Sequence, residues 1–570
     1  MPDHDNREPS AFSSLTAREA GYARIQKEIA ALNELARSWR QRHNELSLIH
    51  RLPPEILSTI FSYITLIHLP RTSLQWIQCI SHICSHWRRI ALTCPSLWAD
   101  IPFHNPRWAR EMLRRSKKAP LTIAYTGEPQ YSRLIHHLGP CLPESATSVL
   151  KDALAELWRV KSLRLLPDSL MDEELAEEVI GLLDSPAPFL ESCHLWDPGF
   201  IHWQRSIQHL FAGDCPRLRQ LTIENLSLNW EGHIFTNLRS FRFSQSSIAN
   251  QGSIAKLVGA LSFMHHLESL QLSNLLDSSL FIPPVNPANL PVLQELSLES
   301  DVSTCLYISN HIIYPSTARV SIVCSILESE KNTMAGLEFI QKLTAHLGAM
   351  LPRPIRALTV RQGEIMLHTP PADEPIDQYS PPQVKIRVAG THDLTYKSIA
   401  RCLLLPTPLR HLEQLRINCH LERDTCVAIF GGLDRLKHII NSAYSFDFLQ
   451  ALSPEITPHP TRSGKRSSVR FRALRRLGIN GWDFQDYGTH PTKACVRRLE
   501  QCLRERSKAR MNLEQLDISD CVHVHKYEVD SLSFIVDNVE WDEQGNFTEE
   551  SDSELYASEY DGFFGHDRWY

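Results

Sequence analysis

Leu218-Arg219-Gln220-Leu221-Thr222-Ile223, Leu238-Arg239-Ser240-Phe241-Arg242-Phe243, Leu267-Glu268-Ser269-Leu270-Gln271-Leu272 and Leu293-Gln294-Glu295-Leu296-Ser297-Leu298 are four copies of one phrase. Each has an apolar residue, two variable ones, a second apolar, one variable and a third apolar. Alternate residues of a strand point to opposite faces, so the second and third apolar positions share one buried face. The first turns in from the preceding loop. One such unit cannot bury its own apolar face, and stacking on the next copy supplies the core.

Further copies lie outward on both sides. Upstream are Val160-x-x-Leu163-x-Leu165 and a weaker copy ending at Cys193 and Leu195. Downstream are Ile355-x-x-Leu358-x-Val360, Leu412-x-x-Leu415-x-Ile417, Leu474-x-x-Leu477-x-Ile479 and Leu513-x-x-Leu516-x-Ile518. Centres at 163, 193, 221, 241, 270 and 296 keep close to the period of about 20–29 residues of a leucine-rich repeat. Beyond 296 the spacing lengthens. Weak copies near Val320, Val384 and Leu436 fill some gaps, and polar, Pro-rich inserts at Gly363–Pro382 and Leu452–Val469 fill others. Helix-like stretches such as Ile254–Met264 and Cys495–Arg506 lie between the strands and predict the convex side. Arg219, Arg239, Glu268, Gln294, Arg416 and Asp517 fall at variable positions, where they either meet a partner or are simply solvated. The rival reading is an ordinary α/β domain in which the phrase recurs by coincidence; eight good copies weigh against it.

Toward the N-terminus the periodicity changes. Ile25, Ile29, Leu32, Ala36, Trp39, His43 and Leu46 alternate spacings of four and three, which puts them on one side of a helix. Two readings stay open for that stripe: a heptad seam pairing two copies, and an amphipathic helix packed against the next segment of the chain. From Ile49 to Asp100 the chain carries Leu52-Pro53-Pro54-Glu55-Ile56-Leu57 and Ile60-Phe61, then Ile83-Cys84, Trp87-Arg88, Ile90-Ala91 and Pro95-Ser96-Leu97-Trp98. Pro53 and Pro54 suit a helix start, where a missing N–H costs nothing, and Glu55 sits near the positive end of the dipole. A unit of about 50 residues with this many large apolar side chains cannot hide them all, so some face another element or a partner.

In order and spacing these matches resemble the F-box of fungal, basidiomycete-type F-box proteins, in which irregular leucine-rich repeats commonly come next. Two departures stand out: the connector at 68–76 aligns poorly, and Ser85 stands where many members have Arg. The resemblance implies that Leu52, Pro53, Ile56, Leu57, Ile60, Ile83, Cys84 and Trp87 contact a Skp-type adaptor, linking the chain to a cullin–RING ligase. The expected fold is an α/β repeat: an N-terminal helix and a small all-α F-box, then an irregular leucine-rich-repeat solenoid, or horseshoe, and an acidic, partly disordered C-terminal tail. The expected boundaries are a disordered N-terminus at 1–14, an amphipathic helix at 15–47, an F-box at 48–101 and a linker with the first solenoid cap at 102–158. Repeats occupy 159–527 and the tail 528–570. The implied function is substrate recognition in a Skp–cullin–F-box ubiquitin ligase; a leucine-rich-repeat scaffold without a ligase role stays open as the alternative.

Composition bounds the rest. The 570 residues carry 59 Lys and Arg against 65 Asp and Glu, a net charge of −6, which gives no reason to expect nucleic acid or an anionic membrane as partner. The imbalance is local: from Asp530 onward Arg568 is the only Lys or Arg, in a stretch rich in Asp, Glu and aromatics. The first residues hold no basic and apolar leader, and the 14 cysteines form no C-x-x-C pair, so a cytoplasmic or nuclear protein is expected. No catalytic, metal or cofactor site is expected. Gly464-Lys465 echoes a phosphate loop, but Arg466 stands where Ser or Thr is needed. His82, Cys84 and His86, like Cys521, His523 and His525, form an alternating cluster, yet each set offers three ligands where a structural zinc site takes four at suitable spacing. The basic run from Lys465 to Arg476 reads as a solvated loop, with a nuclear address or an acidic target as the other options.

Overall fold

The computed structural model describes residues 11–67, 75–126, 144–166, 173–197, 209–226, 228–230, 232–245, 254–275, 286–325, 335–371, 380–389, 396–443, 445–454, 470–484 and 494–543. The first ten residues, most of the 68–76 connector, Lys465–Arg466, most of the 452–469 insert and the acidic tail from 544 lie outside them. The chain divides into two compact units, Met1–Ile201 with His209–Leu218, and His202–Gln208 with Arg219–Tyr570.

The first unit begins with α1 (Ala11–Glu45), a 3-10 turn (Leu48–Arg51), α2 (Pro54–Ile67), α3 (Gln75–Ser81), α4 (Ser85–Thr93) and a second turn (Pro95–Trp98). It continues as β1 (Asp100–Ile101), α5 (Pro106–Ser116), β2 (Leu121–Thr126), α6 (Glu144–Leu154), β3 (Val160–Leu166), α7 (Glu173–Leu182) and β4 (Ser192–Trp196). The four strands pair in chain order, all parallel. Ile123, Leu163 and Cys193 lie in register, as do Tyr125, Leu165 and Leu195, and all six are buried. β2 thus lies before residue 159, inside the stretch expected to hold a linker with the first solenoid cap. Buried Arg159 ties it to α5, donating to Ser116 Oγ (3.1 Å) and the Ala119 carbonyl (2.7 Å) and pairing with Glu156.

The second unit is a mixed α/β region built on a long, mostly parallel sheet. Its strands are β5 (Gln220–Glu224), β6 (Ser240–Ser244), β7 (Ser269–Leu275), β8 (Ala288–Asn289), β9 (Glu295–Asp301), β10 (Ile312–Ile313), β11 (Arg319–Ser325) and β12 (Ala357–Arg361). Then come β13 (Glu364–His368), β14 (Val384–Ala389), β15 (Gln414–Asn418), β16 (His438–Asn441), β17 (Arg476–Asn480), β18 (Gln515–Ser519) and β19 (Asn538–Trp541). β8 and β10 form a separate short pair. The others run β5-β6-β7-β9-β11-β14-β13-β12-β15-β16-β17-β18-β19, and only β13 is antiparallel to its neighbours. Helices between strands include Ile254–Leu261, Val302–Asn310, Ala335–Ala349, Tyr396–Leu404 and Ala494–Lys508.

The repeated phrase becomes two ladders of side chains. Leu221, Phe241, Leu270, Leu296, Val320 and Val384 stand in one register, and Ile223, Phe243, Leu272, Leu298, Ile322 and Ile386 in the next. Beyond the hairpin the ladders resume with Leu358, Leu415, Ile439, Leu477 and Leu516, and with Val360, Ile417, Asn441, Ile479 and Ile518. Asn441 is the one polar member, 1% exposed, and its Oδ1 accepts from Trp482 Nε1 (3.0 Å) and Ala443 N (3.1 Å). In several copies a turn draws the first apolar residue inward: Leu218 N donates to Cys215 O, Leu267 N to Met264 O and Leu474 N to Phe471 O. The carbonyl of the residue after it accepts two N–H groups from the next copy, as Arg219 O does from Arg239 and Ser240. Side chains at that position pair across copies, Arg239 with Glu268 (3.2 Å) and Arg475 with Glu514 (3.3 Å). Being exposed, such pairs contribute little. At or just past the strand end a residue in the left-handed region recurs, Asn225, Asn274, Gly481 or Asp520, types that tolerate it, with buried Leu226, Leu275, Trp482 or Cys521 directly after.

Two stretches differ from expectation. Gly363–Pro382 begins as sheet, because Gln362 and Gly363 make a two-residue turn that folds β13 back on β12. Gly363 sits at φ +67°, and a Cβ there would meet Val388 O at 2.9 Å. The supposed tail from 528 also starts as structure: helix Lys526–Ser533 and β19 add a further copy to the sheet edge. Phe241→Ala is expected to cost about 3–5 kcal/mol in urea unfolding, since it opens a cavity in both the ladder and the Trp230–Phe235–Phe243 aromatic cluster. The neighbouring exposed change Arg242→Ala is expected to cost about 0.5 kcal/mol or less.

Candidate protein-interaction site

The site is built by the residues from Leu48 to Phe103. The Pro53 carbonyl accepts from the amides of Ile56 and Leu57 (both 3.1 Å), so the paired prolines start α2 as their chemistry favours. α2 then splits its apolar residues between two stripes. Leu57 and Phe61, four apart, are 0% exposed and form the core with Trp76, Ile77 and Ile80 of α3 and Ile90 and Ala91 of α4. Ile56, Ile60 and Tyr63 form the adjacent stripe, with Ile56 48% and Tyr63 63% exposed and Ile60 half-buried. Cys84 caps α4, its sulfur accepting from Trp87 N (3.4 Å). Trp87, half-buried, meets Phe61 at 5.0 Å between ring centroids. Trp98 seals the base: its Nε1 donates to Ala91 O (2.8 Å), Trp76 lies 5.3 Å away, and the Arg115 guanidinium covers its face at 4.5 Å.

The eight residues singled out from sequence therefore fall into three environments. Pro53, Ile56 and Ile83 are exposed, Ile83 by 57%; Leu52, Ile60, Cys84 and Trp87 are half-buried; Leu57 is sealed in the core. Side chains of the first two groups remain wholly or partly open to solvent, whereas Leu57 packs inside the module. Sequence reasoning did not single out Tyr63, although its place one turn after Ile60 marks the stripe. Three further exposed apolar residues, Leu46, Leu48 and Ile49, precede α2.

The possible metal clusters are dispersed. Cys521 is buried, with its sulfur near Ser519 O (3.3 Å) and Ile479 O (3.7 Å); His523 Nδ1 lies 2.8 Å from Asp483; His525 caps the helix Lys526–Ser533 in a capping box with Glu528. Near α4, His82 is exposed and the His86 ring lies tilted against His50, 4.2 Å between centroids. Among the described residues no group of His, Cys, Asp and Glu is arranged to hold a metal, and no helix is long and apolar enough to cross a membrane. Burial pushes the thiols up, Cys215, Cys324 and Cys426 to about 12 and Cys502 and Cys521 to about 11. They stay protonated at neutral pH and lack nucleophilic character.

The open face of the long sheet carries a basic sector. Lys385, Arg387, Arg361 and Arg416 project from β14, β12 and β15, with Glu364 buried between Lys385 (2.9 Å) and Arg361 (3.8 Å). Of the variable-position residues noted from sequence, Arg416 and Asp517 lie on this face, whereas Arg219, Arg239, Glu268 and Gln294 line a groove at the strand starts.

These features describe a small helical module with an apolar surface left open, preceding a stack of α/β units. The F-box-like family model matches residues 49–104, so an F-box-like domain occupies that module. No curated protein matches the chain.

Two measurements check these environments. A chromogenic disulfide reagent at neutral pH is expected to react fast at exposed Cys79 and to reach Cys193, Cys215, Cys324 and Cys426 only after denaturation. Three histidines, His86, His368 and His438, have pKa values lowered first by burial. They stay neutral while the unfolded chain takes up protons, so stability is full above the ordinary histidine range and falls as pH drops from about 7 to about 5. Urea midpoints across that range are expected to decline, and His438→Gln is expected to flatten the slope.

Proposed function

We propose that this protein is a non-catalytic substrate receptor of a Skp–cullin–F-box ubiquitin ligase. Its F-box-like domain engages a Skp-type adaptor, and through it a cullin–RING ligase; its sheet, read as an irregular leucine-rich-repeat solenoid, holds a target protein. The observation that carries this reading is the F-box-like domain at 49–104 with Pro53, Ile56 and Ile83 left exposed to solvent. F-box domains typically bind Skp-type adaptors. A standard interface buries about 1,600 Å², with a few central anchors dominating, and such exposed aliphatic groups suit that role. The chain promotes ubiquitin transfer by raising the effective concentration of target beside a charged enzyme, without a nucleophile, metal or cofactor of its own. It works in the cytoplasm or nucleus, with neither nucleic acid nor membrane as partner.

The test separates contact from folding. Ile56→Asp with Ile83→Asp is expected to weaken binding to a purified Skp-type adaptor roughly 100-fold, about 3 kcal/mol, with an unchanged melting temperature. Leu57→Ala instead reports on folding: it is expected to lower stability by about 2–5 kcal/mol, because it empties a core position. Adaptor binding by the double Asp variant equal to wild type would remove the site. Co-purification with adaptor and cullin, together with a target whose half-life lengthens when 49–100 is deleted, distinguishes a receptor from a scaffold outside the ligase.

A further inference from the structure

α1 presents an apolar seam that no described residue of its own chain covers. No residue from Arg18 to Glu45 is buried. Ile25, Ile29, Leu32, Trp39 and Leu46 are between 45% and 75% exposed, along and just beyond a helix of 35 residues, about 52 Å. Their three-four spacing is the 3.5-residue period that two helices wound about each other require; a helix laid on a globular body shows a broader stripe with period 3.6.

We propose that α1 pairs antiparallel with α1 of a second copy of this chain. Self-complementarity of the sequence argues for that occupant. With the two helices crossing near residue 34, each layer sets one seam position against another of the partner helix. Ile29 meets Trp39, Leu32 meets Ala36, Ile25 meets His43, and Tyr22 meets Leu46. Large groups fall opposite smaller ones, as close packing demands. A parallel pair would instead stack Trp39 on Trp39 and leave Ala36 facing Ala36. At the flanks the same register sets Glu28 beside Arg42 twice by symmetry, Gln26 beside Arg40, and Leu35, itself 56% exposed, against its own copy at the centre. No like charges meet at these flanking positions. The ion pairs Arg24–Glu28 (3.3 Å) and Glu34–Arg37 (3.1 Å) within α1 are exposed and weak, so Glu28 can turn toward Arg42.

Sedimentation velocity on the full chain tests this. The 65.2 kDa protein is expected to reach twice that mass as concentration rises. Ile29→Glu with Leu32→Glu is expected to weaken association tenfold or more, roughly the effect of a charge in a packed seam. Glu28→Arg alone is expected to weaken it several-fold, and adding Arg42→Glu to restore it, since the swap rebuilds both symmetric pairs. A chain that stays monomeric throughout, or an association that Glu28→Arg weakens and Arg42→Glu does not restore, overturns the proposal. A monomer whose seam becomes protected only when a Skp-type adaptor is added overturns it as well, and assigns the seam to the adaptor. Unchanged melting of the sheet in each variant excludes unfolding as the cause.

Discussion

The structure depends on the fact that no single copy of the repeated phrase can close its own apolar face. A strand of five residues exposes two aliphatic groups on one side, and these leave water only when the next copy sets its own two in register beside them. The ladders from Leu221 to Val384 and from Ile223 to Ile386 are that requirement met at five successive pairings. Where a polar group intrudes, as at Asn441, the fold supplies Trp482 Nε1 and a backbone amide to satisfy it. Everything on the open face, the basic sector included, is held at about 4.8 Å strand spacing by the packing behind it.

The helical module solves the opposite problem. It is too small to enclose all its large side chains, and α2 divides them between Leu57 and Phe61 inside and Ile56 and Tyr63 outside. One residue of offset along the helix separates a core position from a solvent-exposed one. That is why the two kinds of side chain belong to different experiments.

How much of the fold is legible in the sequence comes down to the same physics. The phrase marks its strands because the first, fourth and sixth positions are all large and apolar. Leu121-Thr122-Ile123 escapes it because Pro120 and Lys118 stand where the phrase has its leading apolar residue, although alternation alone marks a strand. The Gln362–Gly363 turn sits between Leu358-Thr359-Val360 and Ile365-Met366-Leu367, an ordinary hairpin signal hidden by the Pro-rich stretch after it. β19, only Asn538–Trp541, pairs by backbone and carries too little pattern to read. At the candidate site the order of matched residues is readable, but which of Ile56 and Leu57 faces inward depends on where α3 and α4 lie, and that is a tertiary fact.

The backward strand has a further effect. Elsewhere in the long sheet neighbours succeed one another in chain order, so a stack of this kind closes like a zip from either end. Here β14 sits next to β11 although β12 and β13 are translated first, and β12 joins β15 only across that returned hairpin. The sheet cannot be assembled in the order in which the chain is made. Strands β12, β13 and β14 are its keystone: the strands on either side form two separate stacks until these three are set between them.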